Sequence, residues 1–238
     1  MRRALTAGLL TAAVVHAAPA VTAFTPARRA LLPALAGTGP RDRVALTFDD
    51  GPDPVSTPRF LRLLADHDVR ATFFVLGSML ARDPGLGRET LAAGHELAVH
   101  GWTHRCLLFR TPGATYDDLA RARDLVASLG GDRPRWFRPP YGVLTTGALV
   151  ASRRLGLQPK LWTAWGRDWE ASATPSSIVR TVTSTLIGGG TILLHDSDCT
   201  SAAGSWQRTL ASLPRIIDWT RDRGLRLGPL GEHQAVPR

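Results

Sequence analysis

Short apolar runs alternate with longer amphipathic segments along most of the chain. Val44–Phe48 is apolar and predicts a buried strand, whereas Pro58–His67 carries Leu61 and Leu64 at a helical spacing and predicts a helix. Six further strands are predicted at Ala71–Leu76, Glu96–Val99, Trp136–Phe137, Pro159–Trp162, Thr191–Leu194 and Leu225–Leu227. Helices are predicted before Gly94 and at Asp117–Leu129, Gly147–Leu155, Ser176–Leu186 and Trp206–Arg221.

Strands that alternate with helices predict an α/β fold with right-handed crossovers and a parallel sheet. Seven strands in one domain favour a distorted (β/α) barrel over an open doubly wound sheet. Polar residues suited to chemistry follow the predicted strands, at Asp49, Asp50, His100, His104, Arg138, Asp168 and His195. Because a barrel of this kind carries its active site at the C-terminal ends of its strands, we expect these side chains to converge there.

The N-terminal segment has the pattern of a secretory leader. Arg2 and Arg3 precede a mostly apolar stretch that reaches Phe24, and Ala18 and Ala20 satisfy the small-x-small rule for cleavage. The stretch is also close to the ~20 residues that span a bilayer, so residues 1–24 are a signal peptide or a membrane anchor. In both cases we expect the remainder to be exported. Residues 25–42 are rich in Pro, Arg and Gly and predict a linker, which leaves 43–238 as the catalytic domain.

Composition narrows the classes of partner. The 238 residues suit one domain, for which we expect a monomer, and the net charge of +9 comes almost wholly from arginine because Lys160 is the only lysine. Basic residues do not cluster with aromatic ones, so nucleic acid is not the expected partner.

Cys106 and Cys199 are the only cysteines. Export would permit a disulfide between them, and two unlinked thiols are an equal alternative.

Asp49 and Asp50 are adjacent carboxylates at the predicted end of a strand, before Gly51 and Pro52. Such a pair fits a divalent metal site in which one carboxylate is a ligand and the other a base. Taken alone, it fits a solvated turn equally well, because Asp before Gly-Pro is common turn chemistry.

His100 and His104 are spaced i and i+4, which on a helical turn places both imidazoles on one face. With Asp50 they make a set of two histidines and one carboxylate, the ligands of hydrolytic zinc sites and also of non-haem iron oxygenases. An isolated pair of this spacing is more often two surface or capping histidines. We assign His67 and His95 to that class.

Three other segments are ambiguous alone. His195 follows an apolar strand and is either a core histidine or a proton donor. Asp168-Trp169 and Arg138–Gly142 could also have purely structural roles, as a salt bridge, a buried Trp or a rigid Pro turn.

Taken together, the motifs of this chain resemble those of the polysaccharide deacetylase family. In chain order they are Thr-Phe-Asp-Asp-Gly-Pro, His-x-x-x-His, Arg-Pro-Pro-Tyr-Gly, Asp-Trp and Leu-Leu-His. This family is the NodB-homology domain, or carbohydrate esterase family four. The resemblance covers the chain from about Arg43 to its last strand.

The resemblance implies a metal-dependent hydrolase that removes N-acetyl groups from amino-sugar glycans, such as cell-wall glycan or chitin-like oligosaccharide. It implies that Asp50, His100 and His104 hold zinc or cobalt. The other implied roles are Asp49 as general base, Arg138 as its ion-pair partner, the Tyr141 N–H as an oxyanion donor, His195 as general acid, Asp168 as the carboxylate that orients it, and Trp169 and Leu193 as walls of the acetyl pocket. The implied chemistry is coherent, since an amide needs a Lewis acid, an oxyanion donor and an acid for its leaving nitrogen.

The chain departs from the family pattern at two positions. Gly101 stands where the family usually has Ser or Thr, and Trp165 stands where it often has Asp. Both put the support of the site and the substrate preference in doubt. Of the neighbouring tryptophans we expect Trp162 in the core and Trp169 in a sugar groove. Alternatives to N-deacetylation are removal of another acyl or formyl group, and a non-catalytic carbohydrate-binding relative.

Overall fold

The computed structural model describes residues 2–24, 27–130 and 132–233. Within them, eight strands form one sheet in which every strand pairing is parallel. The strands are β1 Arg43–Asp49, β2 Thr72–Val75, β3 Glu96–Val99, β4 Trp136–Phe137, β5 Gln158–Pro159, β6 Ala164–Trp165, β7 Thr191–His195 and β8 Arg226–Gly228. Their order is β5-β4-β3-β2-β1-β7-β6, and β8 pairs with the first half of β1.

Helices connect the strands. They are α1 Arg2–Ala17, α2 Val21–Phe24, α3 Arg28–Leu31, α4 Pro33–Ala36, α5 Thr57–Asp66, α6 Gly77–Leu80, α7 Pro84–Ala92, α8 Pro112–Ala127, α9 Thr146–Arg154, α10 Pro175–Thr185, α11 Ser205–Arg221 and α12 Leu230–His233. Short 3₁₀ turns lie at Ala18–Ala20, Leu107–Phe109 and Pro140–Gly142. The sheet curls into a half-barrel with the longer helices around it, so the predicted distorted (β/α) barrel is confirmed.

The two faces of the sheet carry separate cores because successive strand residues point to opposite faces. Phe73 packs with Phe48 and Phe60 in the layer between sheet and helices, with the ring centroids of Phe73 and Phe60 lying 5.1 and 5.2 Å from that of Phe48. Its neighbour Phe74 lies on the inner face, in a separate cluster with Trp136. The register of β1 with β7 pairs Asp49 with His195, so the ends of these two central strands reach the same rim.

The barrel is open between β5 and β6, which share no ladder within the described residues. The prediction of one strand at Pro159–Trp162 is wrong for a physical reason. The carbonyls of Lys160 and Leu161 accept hydrogen bonds from the Arg138 guanidinium, at 3.2 and 3.0 Å, instead of from a neighbouring strand. The chain therefore leaves the sheet after β5 and rejoins it at β6.

The segment predicted as a linker packs onto this opening. The Leu161 N–H donates to the Leu35 carbonyl at 2.7 Å, and the Lys160 ammonium donates to the Ala34 carbonyl at 2.8 Å. Ala36 is fully buried. Residues 34–36, within the predicted linker, therefore pack against the barrel. The first two residues of that segment, 25 and 26, lie outside the described residues.

The predicted leader is helical over α1 and α2, and the Thr146 hydroxyl donates to the Val15 carbonyl at 2.5 Å. Among the described residues, no helix is both long and apolar enough to cross a membrane.

Candidate metal centre and active site

Asp49 and Asp50 lie together at the C-terminal end of β1, although neighbouring strand residues ordinarily face opposite ways. Asp50 has a φ of +80°, in the left-handed region that Asp tolerates better than most residues. This turn ends the alternation of side chains between the two faces of the sheet. As a result, Asp49 Oδ2 lies 3.8 Å and Asp50 Oδ1 lies 3.4 Å from the same atom, Nε2 of His100.

Asp50, His100 and His104 form a compact cluster. Asp50 Oδ1 lies 3.5 Å from His104 Nε2, and the ligand atoms of the three residues all lie within 4.8 Å of one another. Asp50 and His100 are buried. The two histidines lie in a loop rather than on the helical turn that their spacing predicts, because Gly101 has a φ of +106°, which no helix contains.

The donor atoms of this cluster fit a divalent metal ion. The Nδ1–H of His100 donates to the Arg138 carbonyl at 2.8 Å, which leaves Nε2 as the ring nitrogen that faces Asp50. Asp50 Oδ1 is buried and has no hydrogen-bond donor among the described residues. Its other oxygen, Oδ2, accepts from the Thr200 hydroxyl. A buried carboxylate oxygen without a donor, beside two imidazole nitrogens, is the arrangement that a cation completes.

The electrostatics of Asp50 and His104 agree with that fit. Burial opposes ionisation of Asp50, but the positive charges of the nearby imidazoles, those of His100 and His195 above all, outweigh burial and hold its pKa well below the usual range. Burial also opposes protonation of His100, but the Asp49 and Asp50 carboxylates outweigh it and raise the pKa of His100, so a metal ion would displace a proton there. Burial, together with the charge of His100, lowers the pKa of His104 to about 4. Near neutral pH, Asp50 is thus a carboxylate and His104 a neutral imidazole, the protonation states in which both residues ligate metals.

Arg138 is a fully buried cation at the end of β4. Its Nη1 donates to Asp49 Oδ1 at 2.7 Å and to the Thr47 hydroxyl oxygen at 2.8 Å, and its guanidinium lies 4.0 Å from the centroid of the Phe74 ring. With the two carbonyls between β5 and β6, these contacts engage all three guanidinium nitrogens. The ion pair fixes one oxygen of Asp49 and leaves the other, Oδ2, facing the metal cluster.

His195 and Asp168 form a second charged pair across the site. Asp168 Oδ1 lies 3.0 Å from His195 Nδ1, and its Oδ2 accepts from the His195 backbone N–H and from the Thr209 hydroxyl, both at 2.8 Å. Burial alone would lower the pKa of His195. The charge of Asp168 and its hydrogen bond outweigh burial and raise that pKa to about 10. His195 is therefore a cation at neutral pH, with Nε2 left for another partner.

Asp49, His100, His104 and His195 line one cavity of about 260 Å³. Its lining includes Asp49, His100, His104, Tyr141, Gly142, Trp162, Trp165, Trp169, Leu193, His195, Thr200 and Ser201. The ring of Trp169 meets that of His195 edge-on at 5.5 Å, and the ring of Tyr141 meets that of His104 at 4.5 Å. Trp162 also lines the cavity and is only partly buried, so its expected place in the core is wrong.

Some residues that support the site belong to none of the motifs found in the sequence. Asp118 of α8 is buried, and its Oδ2 accepts from the Trp102 N–H at 2.6 Å while its Oδ1 lies 3.4 Å from the Thr103 hydroxyl. A Cβ at Gly101 would lie 3.0 Å from Asp118 Oδ2. Asp118 therefore holds the loop between the two histidines, next to Gly101. Sequence offers no signal for this role because Asp118 is one of several polar residues on an amphipathic helix.

The two cysteines are free, so the disulfide hypothesis is wrong. The Cys199 thiol donates to the Asp50 carbonyl oxygen, at 3.5 Å. The loop that carries Cys199 is attached to the site through its neighbour Thr200. His95 is buried, and its Nδ1 accepts from the Ala71 N–H at 3.1 Å, so its assignment to the surface or capping histidines is wrong.

A curled parallel (β/α) half-barrel with a two-histidine, one-carboxylate cluster and two charged pairs at its C-terminal rim defines a candidate metal-dependent hydrolase. Comparison with known proteins refines this class. A model of the polysaccharide deacetylase family matches residues 36–159. The chitooligosaccharide deacetylase of a Bradyrhizobium species (strain ANU 289) is 37% identical over 195 residues, which cover 79% of this chain and 88% of the relative.

Solved structures agree. A peptidoglycan N-acetylglucosamine deacetylase superposes with a TM-score of 0.79 and 28% identity, over 90% of this chain and 100% of that one. A family 4 carbohydrate esterase from Streptomyces lividans, in complex with acetate, superposes with a TM-score of 0.71 and 32% identity, over 82% and 97% of the two chains. The chain belongs to the polysaccharide deacetylase family.

Proposed function

We propose that this protein hydrolyses N-acetyl groups of amino-sugar glycans, with cell-wall glycan and chitin-like oligosaccharide as candidate substrates. The observation that carries the proposal is the position of Asp49 and His195, two groups of opposite charge, on the same cavity as the candidate metal cluster. The named activities of the similar proteins, chitooligosaccharide and peptidoglycan N-acetylglucosamine deacetylation, support it.

Asp50, His100 and His104 would hold the metal, for which we propose zinc or cobalt. A divalent ion bound there would polarise the acetyl carbonyl and make water a stronger nucleophile near neutral pH. The three side chains have distinct supports. The Arg138 carbonyl orients His100, and the Thr200 hydroxyl orients Asp50. Asp118 holds the loop that carries His104.

Asp49 is the proposed general base. Its Oδ2 faces the cluster, and its Oδ1 is occupied by Arg138, so only one oxygen is available to accept a proton. The base removes a proton from the attacking water as the water oxygen bonds to the acetyl carbon. The Arg138 guanidinium holds Oδ1 and so keeps Oδ2 facing the cluster.

His195 is the proposed general acid. The Asp168 carboxylate holds Nδ1–H, so that the proton on Nε2 is the one available to the cavity. That proton passes to the sugar nitrogen as the carbon–nitrogen bond breaks, which yields acetate and a free amine. The base has a cation as its partner and the acid has a carboxylate, and the Asp168 carboxylate keeps His195 protonated before the reaction begins.

The remaining proposed roles concern substrate. The Tyr141 N–H, which is presented by a residue with a φ of +59°, is the proposed donor to the oxyanion. Gly142 lets the chain pass the Trp162 ring, since a Cβ there would lie 2.7 Å from that ring. Leu193 and Trp169 line the cavity beside His195 and form the proposed pocket for the acetyl methyl.

We further propose that the domain acts outside the cytoplasm, as a monomer and without nucleic acid. The Arg2-Arg3 start and the apolar stretch to Phe24 support export, by cleavage or by anchoring of the leader. Cell-wall glycan is accessible there.

A panel of matched sugars tests the proposal. Purified protein is loaded with zinc or cobalt and incubated with peptidoglycan, with N-acetylglucosamine oligomers and with the same oligomers carrying N-formyl or N-propionyl groups. Release of acetate and of free amine in equal amounts, faster than release of formate or propionate, is expected. Preferred release of another acid supports a different deacylase. Glycan binding with no acid released from any substrate identifies a non-catalytic binding protein.

A further inference from the structure

Trp165 has an unusual environment among the tryptophans. All seven lie in the described part of the chain, and Trp165 alone of them is exposed, with 39% of its surface accessible. A single exposed aromatic ring is ordinary on a protein surface, and it indicates a binding role only where a second feature accompanies it. This one lies at the catalytic cavity.

Its position follows from the strand that carries it. In β6 the neighbouring residue Ala164 points into the core between sheet and helices, so Trp165 points to the inner face of the barrel. The Gly166 N–H donates to the Leu193 carbonyl, which ties the end of β6 to β7 beside the proposed acetyl pocket.

The Trp165 ring is held in a fixed orientation. It stacks on Trp162, with centroids 6.0 Å apart and 30° between planes, and meets Trp169 edge-on at 5.4 Å. Trp162 is fixed in turn between two cations, with Arg28 5.6 Å and Arg138 5.8 Å from its ring centroid. The open ring therefore loses little conformational freedom when a ligand binds, which favours affinity.

The series of rings leads from the catalytic residues to solvent. Trp169 contacts His195, and Trp165 contacts Trp169 and is more exposed. A flat apolar ring beside polar catalytic groups suits a ligand with one apolar C–H face and a polar rim. A pyranose has that form.

We propose that Trp165 is a stacking platform for a pyranose ring of the glycan, next to the sugar whose amide reaches the metal cluster. This inference rests on the proposed function and adds to it the residue that holds the neighbouring sugar. An Asp in this position would offer hydrogen bonds but no apolar face. Trp at this position thus adapts the chain to bind the neighbouring sugar by its ring face.

The test compares Trp165→Ala and Trp165→Phe with the metal-loaded wild type, on the N-acetylglucosamine monomer and tetramer. Trp165→Ala should raise KM for the tetramer about twofold to twelvefold, the factor that corresponds to the loss of about 0.5–1.5 kcal/mol of aromatic stacking. The change in kcat should be smaller, KM for the monomer should change less, and Trp165→Phe should recover most of the affinity. Phe109→Ala removes another exposed aromatic ring, outside the cavity lining, and is the matched control.

Direct binding gives a second readout. Titration of the tetramer into Asp49→Asn protein, with and without Trp165→Ala, should show the same loss of affinity in the absence of turnover. Circular dichroism confirms that each variant is folded. Unchanged KM and affinity in a folded Trp165→Ala variant, beside an active wild type, overturn the platform alone. A wild type that neither binds nor deacetylates any N-acetylated glycan overturns the proposed function and the platform with it.

Discussion

Oδ1 of Asp49 lies 2.7 Å from Nη1 of Arg138, and both side chains are buried. Next to this pair, Asp50 turns its own Oδ1 to the two histidines, so adjacent carboxylates have different partners. The proposed division into base and ligand follows from this difference in partners and not from any difference between the two residues themselves.

Exchanging each carboxylate for its amide separates the two roles. Asp49→Asn should retain the metal and lose at least ~10²-fold in kcat, since general bases contribute about that much. Asp50→Asn should lose the metal itself, because it removes the charged ligand. Metal content by mass spectrometry and acetate release, measured on the same samples, check both. If Asp49→Asn lost the metal and kept its rate per bound ion, the two roles would be misassigned.

Asp168→Asn should change the pH dependence of catalysis. The Asp168 charge raises the pKa of His195, so its removal lowers that pKa. The acid must be protonated to act, and the alkaline limb of the kcat/KM profile should therefore move to lower pH, together with a fall in the maximum rate. Thr209→Val, which removes one hydrogen bond to Asp168 and keeps its charge, should move the limb much less. Equal profiles for wild type and Asp168→Asn would contradict the role of Asp168.

Asp118→Asn should weaken metal binding without removing a ligand. Residues that support metal ligands typically contribute about 10–100-fold to metal affinity, and Asp118 anchors the loop between His100 and His104. Competition with a fluorescent chelator measures this directly. Asp124→Asn changes an exposed carboxylate on the same helix and is the control, for which wild-type affinity is expected. An equal affinity for all three proteins would show that the loop holds its form without Asp118.

The buried His95 should make folding sensitive to acid. Burial and the charge of Arg70 lower its pKa to about 4, below the ordinary value of about 6.5. The unfolded state therefore binds more protons between these values, and the contribution of His95 is complete above pH 6.5 and is lost as the pH falls toward 4. At ~1.4 kcal/mol per pKa unit, the loss reaches at most about 3 kcal/mol. Denaturant unfolding at pH 7 and pH 4.5 should show a smaller decrease in His95→Gln than in wild type, and parallel decreases would contradict this account.

The sequence predicts the class of fold because each strand–helix–strand crossover has the same sequence pattern, an apolar strand followed by an amphipathic helix. It also places the polar residues at the correct rim, since parallel strands end at one edge. Prediction from the sequence fails where a contact with a residue distant in the chain replaces the expected strand pairing. The strand predicted at Pro159–Trp162 is interrupted because Arg138 takes two of its carbonyls.

The same limit applies to the site. The ligand set can be predicted from residue types and order, but the helical turn expected at His100 and His104 is a loop with Gly101 in the left-handed region. Asp118 and Thr200 support that set from distant positions, and no local pattern marks them. The core position predicted for Trp162 is wrong because nothing in the sequence reveals that the barrel opens beside it.

A metal titration of catalysis tests the central claim most directly. Protein is stripped with chelator, and zinc or cobalt is returned in steps while acetate release from an N-acetylglucosamine oligomer is followed. The account predicts no release from the stripped protein and a rate that rises until one ion is bound per chain. It also predicts no recovery in His100→Ala protein at the same concentrations of metal. A full rate from stripped wild-type protein, with no ion bound, would contradict the account.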